Sequence, residues 1–202
     1  MAVGQLQTTQ NNIVNAQGRA DGSLFRADRH PRNMQSVFDG TVYTASNLMG
    51  TPVTTQAGPS LTTPALTLYN PVGSGVNAVL IAANVSITTS PAAACAFALA
   101  QNTLNATPPA STTAATVTNN LLGSTSTPAC GAYRIATLAA NPVAVCYLGG
   151  VTGASATGGV ALTKNFDGEY IIPPGVAVSI QATSAAAILA SISWKEIPIT
   201  AV

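Results

Sequence analysis

Charge is what this chain has least of. From Gly40 to Tyr133 it carries not one Asp, Glu, Lys, Arg or His, where a soluble domain has charges at about a quarter of its positions. Acids and bases together make up 6% of the whole. Enzymes and freely diffusing signalling proteins draw on charge for chemistry and solubility, so this scarcity points to a subunit whose surface meets other subunits. The seven basic and six acidic residues leave a net charge of +1. Such a balance offers no basic face for phosphates, and no nucleic-acid partner is expected. Long apolar runs are missing too: the longest, Ala92 to Ala100, falls well short of the ~20 residues of a spanning helix, so no membrane partner is expected either. The opening Met1-Ala2-Val3-Gly4-Gln5 has neither the basic nor the apolar region of a secretory signal, and export by that route is not expected.

Residues that carry chemistry are equally scarce. Cys95, Cys130 and Cys146 are odd in number and irregularly spaced, with no Cys-x-x-Cys or Cys/His metal pattern. They read as small buried hydrophobes, a Cys130–Cys146 disulfide being the alternative. The single histidine, His30, sits between Arg29 and Pro31, where no scaffold would hold a general base beside a nucleophile. Asp167 and Glu169 flank Gly168, a composition that fits a hairpin turn better than a paired acid and base. Gly149-Gly150-Val151-Thr152-Gly153 lacks the lysine of a phosphate-binding loop. The reading is therefore of a non-enzyme, with no catalytic, cofactor-binding or metal-binding residues and no cofactor. Trp194, the one tryptophan, is expected in core or interface packing.

What is present divides at about residue 40. Residues 1–40 hold Arg19, Arg26, Arg29 and Arg32 together with Asp21, Asp28 and Asp39. They are preceded by Gln5 to Gln17, a run rich in Gln, Asn and Thr that is too polar to bury itself. We read this part as an extended arm. Its arginines either pair with neighbouring aspartates in solvent or dock on a neighbouring subunit, where their forked guanidinium groups meet carboxylates and carbonyls.

Residues 41–202 read as strands. Thr41 to Asn47 and Ala65 to Tyr69 alternate, and Val79, Ile81, Ala83, Val85 and Ile87 form a period-two series with Asn84 and Ser86 opposite. Val176, Val178 and Ile180 interleave with Ala177, Ser179 and Gln181, as do Ile188, Ala190, Ile192 and Trp194 with Leu189, Ser191, Ser193 and Lys195. These are patterns of half-buried antiparallel strands. Turn formers separate them, among them Asn70-Pro71-Val72-Gly73-Ser74-Gly75, Asn141-Pro142 and Pro173-Pro174-Gly175. Eight or nine short strands follow, with long loops at about 102–120 and 149–159. The fold class is all-β, an antiparallel β-sandwich of jelly-roll type with an N-terminal arm.

Gly168-Glu169-Tyr170-Ile171-Ile172-Pro173-Pro174-Gly175-Val176-Ala177-Val178-Ser179-Ile180, followed by Ser191-Ile192-Ser193-Trp194-Lys195-Glu196-Ile197-Pro198, resembles the end of jelly-roll virion proteins of tailed bacteriophages. Leu66-Thr67-Leu68-Tyr69-Asn70-Pro71-Val72-Gly73-Ser74-Gly75 is similar to the same group. The resemblance covers residues 60 to 90 and 165 to 198. It implies a homotrimeric cement, decoration or head-fibre protein on the capsid exterior, assembled in the host cytoplasm and held to the major capsid protein by its arm. A receptor-binding fibre tip or adhesin of the same fold is the alternative. The two long loops contain no aromatic and no acid, which counts against sugar recognition there.

Overall fold

The computed structural model describes residues 3–7, 13–17, 33–102, 105–153 and 159–199. The chain forms two compact units, Met1–Gln35 and Ser36–Val202. In the first, β1 (Val3–Gln7) and β2 (Ile13–Gln17) pair antiparallel with Leu6 in register with Val14. A single helical turn, α1 (Met34–Phe38), spans the boundary between the units. The second unit, the body, is all-β.

The body's strands in chain order are β3 (Val42–Ser46), β4 (Val53–Thr54), β5 (Leu66–Tyr69), β6 (Val76–Thr89), β7 (Cys95–Gln101), β8 (Ala110–Ala114), β9 (Thr116–Asn119) and β10 (Gly131–Thr137), then β11 (Val143–Val151), β12 (Ala161–Asn165), β13 (Ile171–Ile172), β14 (Ala177–Ala182) and β15 (Ala187–Pro198). They build two antiparallel sheets, a β-sandwich. One sheet runs β12-β6-β15-β3-β9, with β13 pairing further along β6 and β4 along β15; the other runs β11-β7-β14-β5-β10-β8. Four pairings nest inside one another: β3 with β15, β5 with β14, β6 with β12, and β7 with β11. The segment between β7 and β11 adds β8, β9 and β10, which widen both sheets on one side.

The inner faces meet in one core. On β15, Ile188, Ala190, Ile192 and Trp194 are buried while the residues between them are partly open, as the alternation predicts. Phe97, Phe166, Leu66, Leu68, Leu80, Leu99 and Ile180 fill the space between the sheets, each such side chain contributing about 1.5–3 kcal/mol by burial. Tyr43 lies over Trp194 with ring centroids 5.8 Å apart.

Four expectations need correction. The series Val79, Ile81, Ala83, Val85, Ile87 does not share one face. Ser193 pairs with Ala82 but Trp194 pairs with Leu80, so Ile81 is an extra residue that reverses the phase. The core face of β6 is accordingly Ala78, Leu80, Ala83, Val85 and Ile87. Strands β14 and β5 are not half-buried: all six residues of β14 and all four of β5 are buried, because both lie inside their sheet and the outer face of β14 is covered as well. There Gln181 donates to Ser179 Oγ (2.9 Å) and its Oε1 accepts from the Ser60 amide (3.1 Å). The strands outnumber the eight or nine expected, partly because β8 and β9 occupy the supposed loop at 102–120 and β11 runs on to Val151. Finally, Asp167-Gly168 makes a turn, with φ of 50° and 90°, but not a hairpin. Both β12 and β13 pair antiparallel with β6, so they run in the same direction along one neighbour, and Phe166 between them drops into the core.

Candidate functional site: an uncharged cleft at the edge of the sandwich

On the side away from β8 and β9, the edge strands of the two sheets, β11 and β12 with β13, come alongside each other. An open cleft of about 190 Å³ enters there between the sheets. Leu80, Leu99, Val176 and Val178 form its floor, Val145 and Ile171 its walls, and Gln101, Asn105 and Tyr170 bring polar groups to it. Its shape follows from irregularities in β11. Ala144 pairs with Ala100 and Cys146 with Leu99, which leaves Val145 as an extra residue; Leu148 is a second one, between Tyr147 and Gly149. Bulges of this kind re-aim side chains and end further pairing at an edge. At the cleft Val145 and Ile171 (60% exposed) remain open to solvent, and Val143 (58%) and Tyr147 (67%) are exposed on opposite faces of β11.

The Cys146 thiol and the Tyr170 hydroxyl beside the cleft are held back from ionising. Partial burial raises the Cys146 thiol above its ordinary value, against the opposing pull of its hydrogen bond to Tyr170 and of the Lys164 charge. Tyr170 is raised in turn, chiefly by the Cys146 charge. Such a pair packs and positions.

A second cluster lies where the β9–β10 crossover meets the body. Glu196 is buried and acts as a shared acceptor. Its Oε2 takes the Ala129 amide (2.9 Å), and its Oε1 takes the Cys130 amide (3.0 Å) and the Trp194 indole N–H (3.2 Å). Burial, reinforced by the Glu196 charge, pushes the Cys130 thiol strongly upward. The Tyr43 hydroxyl adds a bond to Ser126 Oγ (2.8 Å).

Of the residues singled out in the sequence, Arg19, Arg26, Arg29, Arg32 and His30 lie outside the described residues. Asp167 and Glu169 sit in the turn between β12 and β13, both exposed. The three cysteines are free thiols, Cys95 and Cys130 buried and Cys146 partly so. Among the described residues no group of three or more His, Cys, Asp or Glu gathers as a metal site, and no helix is long and apolar enough to cross a membrane. Sequence reasoning missed both the cleft and the Glu196 cluster. The signal for the cleft was present in Val143-Ala144-Val145-Cys146-Tyr147, an alternation with apolar residues on both faces. Searches of protein-family models, curated proteins and solved structures find no match to this chain.

Proposed function

We propose that the chain is a structural virion subunit, a jelly-roll cement or decoration protein on the outside of a tailed-bacteriophage capsid. It works as a homotrimer, and residues 1–40, with Arg19, Arg26, Arg29 and Arg32, bind the major capsid protein or a neighbouring subunit. The work is mechanical: binding across adjacent capsomers opposes their separation, by an amount set by the binding free energy. The nested pairing of β3 with β15, β5 with β14, β6 with β12 and β7 with β11 supports the jelly-roll type, in which a folded-over ribbon is wrapped into two sheets. The phage setting rests on the resemblance of residues 60 to 90 and 165 to 198.

The observation that carries the assembly reading is the exposure of Val145 (40%) and Ile171 (60%) at an open cleft lined mostly by apolar residues. Exposed apolar surface without charge marks a contact with another macromolecule. Light scattering on the full chain tests this. A mass near three times 20.2 kDa is expected, falling toward one in Val145→Arg with Ile171→Arg. A monomer in the parent protein, or a trimer indifferent to both substitutions, removes the cleft from the interface. Co-sedimentation with capsids tests the attachment separately.

A further inference from the structure

Two apolar features stand on opposite edges of the sandwich. One is the open cleft where β11 comes alongside β12 and β13. The other is the tip of the crossover from β9 to β10, where Leu122 is 87% exposed. The tip is fixed in place. Asn119 Nδ2 donates to the Gly40 carbonyl (2.7 Å), Asn119 Oδ1 accepts from the Leu121 amide (2.8 Å), and the Ser124 amide closes the turn on the Leu121 carbonyl (2.9 Å). A side chain presented on a turn already ordered costs less to bury against a partner. The cleft suits such a side chain. At about 190 Å³ it is smaller than the roughly 300 Å³ or more of small-molecule sites. Its lining contains no Asp, Glu, Lys, Arg or His, and the stretch that carries the tip is equally uncharged, so neither surface would strand a charge on joining.

The pairing register places tip and cleft at one level along the strands. Asn119 at the base of the tip lies opposite Tyr43, Tyr43 opposite Trp194, and Trp194 opposite Leu80 on the cleft floor. One residue along, Val42, Lys195 and Val79 lead across the same sheet to Ile171 on the cleft wall. A rotation about an axis along the strands keeps every level, so copies related by it meet tip to cleft. Contact between two different patches, repeated in one direction, closes into a ring. Met49 is also open (92% exposed), but it follows Asn47, whose amide donates to the Ala190 carbonyl (3.1 Å). Ala190 is four residues from Trp194 on β15, which puts that tip about 13 Å off the level of the cleft. Joining there would stagger successive copies and leave the assembly open. Resting on the homotrimeric reading, we propose that the trimer is a head-to-tail ring in which Leu122 of each copy fills the cleft of the next.

Light scattering on full-length Leu122→Arg tests the ring. Its mass is expected to fall from three times 20.2 kDa toward one, with the emission of buried Trp194 unchanged, because Leu122 is not part of the core. A trimer that persists in Leu122→Arg gives the cleft to another segment or to a free small molecule, and overturns the ring while leaving the homotrimer in place. A monomeric parent overturns both. Direction is tested with a short thiol-bridging reagent in a Cys146→Ser background, where the remaining thiols, Cys95 and Cys130, are buried. Leu122→Cys combined with Ile171→Cys should yield covalent species of two and three chains, and neither cysteine alone should link chains. Linkage in Leu122→Cys alone would mean that tips meet tips, and its absence from a double variant that is still trimeric would mean that tip and cleft lie apart; either result overturns the inference.

Discussion

At the scale of single residues, a few uncommon polar groups hold together a protein built mostly of small and apolar ones. Asn70 is buried, and its side-chain amide donates to the carbonyls of Val76 (2.8 Å) and Ile172 (2.9 Å). It thus ties the turn after β5 to β6 and β13. The Asn-Pro-x-Gly-Ser-Gly run marks that turn in the sequence, but the second carbonyl is 102 residues away, beyond the reach of local pattern. Glu196 is similar: an acid two places past Trp194 reads as the polar end of a strand until the crossover folds onto it. Cys130 carries a measurable consequence. Its thiol is raised by burial first and by the Glu196 charge second, so the folded protein disfavours the thiolate. The associated stability is intact below the unfolded thiol's ordinary value near 9 and is lost as pH rises past it, at about 1.4 kcal/mol per pH unit for one proton. Urea unfolding at stepped alkaline pH should show this slope in the parent protein and a shallower one in Cys130→Ala. Equal slopes would mean that the thiol does not report on folding.

At the scale of elements, the question for so uncharged a β-protein is how its edges avoid pairing with other chains. Each sheet answers differently. Strand β11 carries two bulges, β8 pairs with shifts of register and holds Ser111 at φ 48°, and β12 places Lys164 in an otherwise uncharged edge. A charge on an edge strand acts as a gatekeeper. Lys164→Val should therefore leave the melting temperature little changed yet raise turbidity on standing at high concentration. If solubility is unaffected, the bulges alone are sufficient protection. The elements with clean alternation, β3 and β15, were legible in advance because one face of each is core and the other is largely not. Those with bulges or two buried faces were not. At β6 the extra Ile81 breaks a series that looked continuous, and at β8 and β9 runs of Ala, Ser and Thr look like loop because they bury so little.

At the scale of the whole molecule, the order of pairing sets how the body must fold. β15 lies between β6 and β3 in the middle of its sheet, yet it is the last in order of the described strands. The seven-stranded sheet cannot close until residues from Val42 to Pro198 have been brought together. Such non-local topologies fold in roughly milliseconds to seconds. Stopped-flow refolding followed by Trp194, the single tryptophan and a fully buried one, should lie in that range. A chain ending before Ala187 should fail to form either sheet stably. A truncated chain with native strand content would show instead that the six-stranded sheet is an independent folding unit. All-β class and sandwich architecture were legible at this scale, since they follow from strand periodicity and turn spacing. Which strands neighbour which was not, because it depends on pairings between distant segments.

The pairing of β3, the first strand of the body, with β15 has one more consequence. Val42 lies opposite Lys195, and the Glu196 amide donates to the Thr41 carbonyl (2.9 Å), so the chain enters and leaves the body at neighbouring points. The body is thus nearly a closed loop. Its two ends could be joined by a short linker and the chain reopened at the exposed Leu121–Gly123 turn, giving a circular permutant with the same sandwich and new ends at the far side of its connectivity.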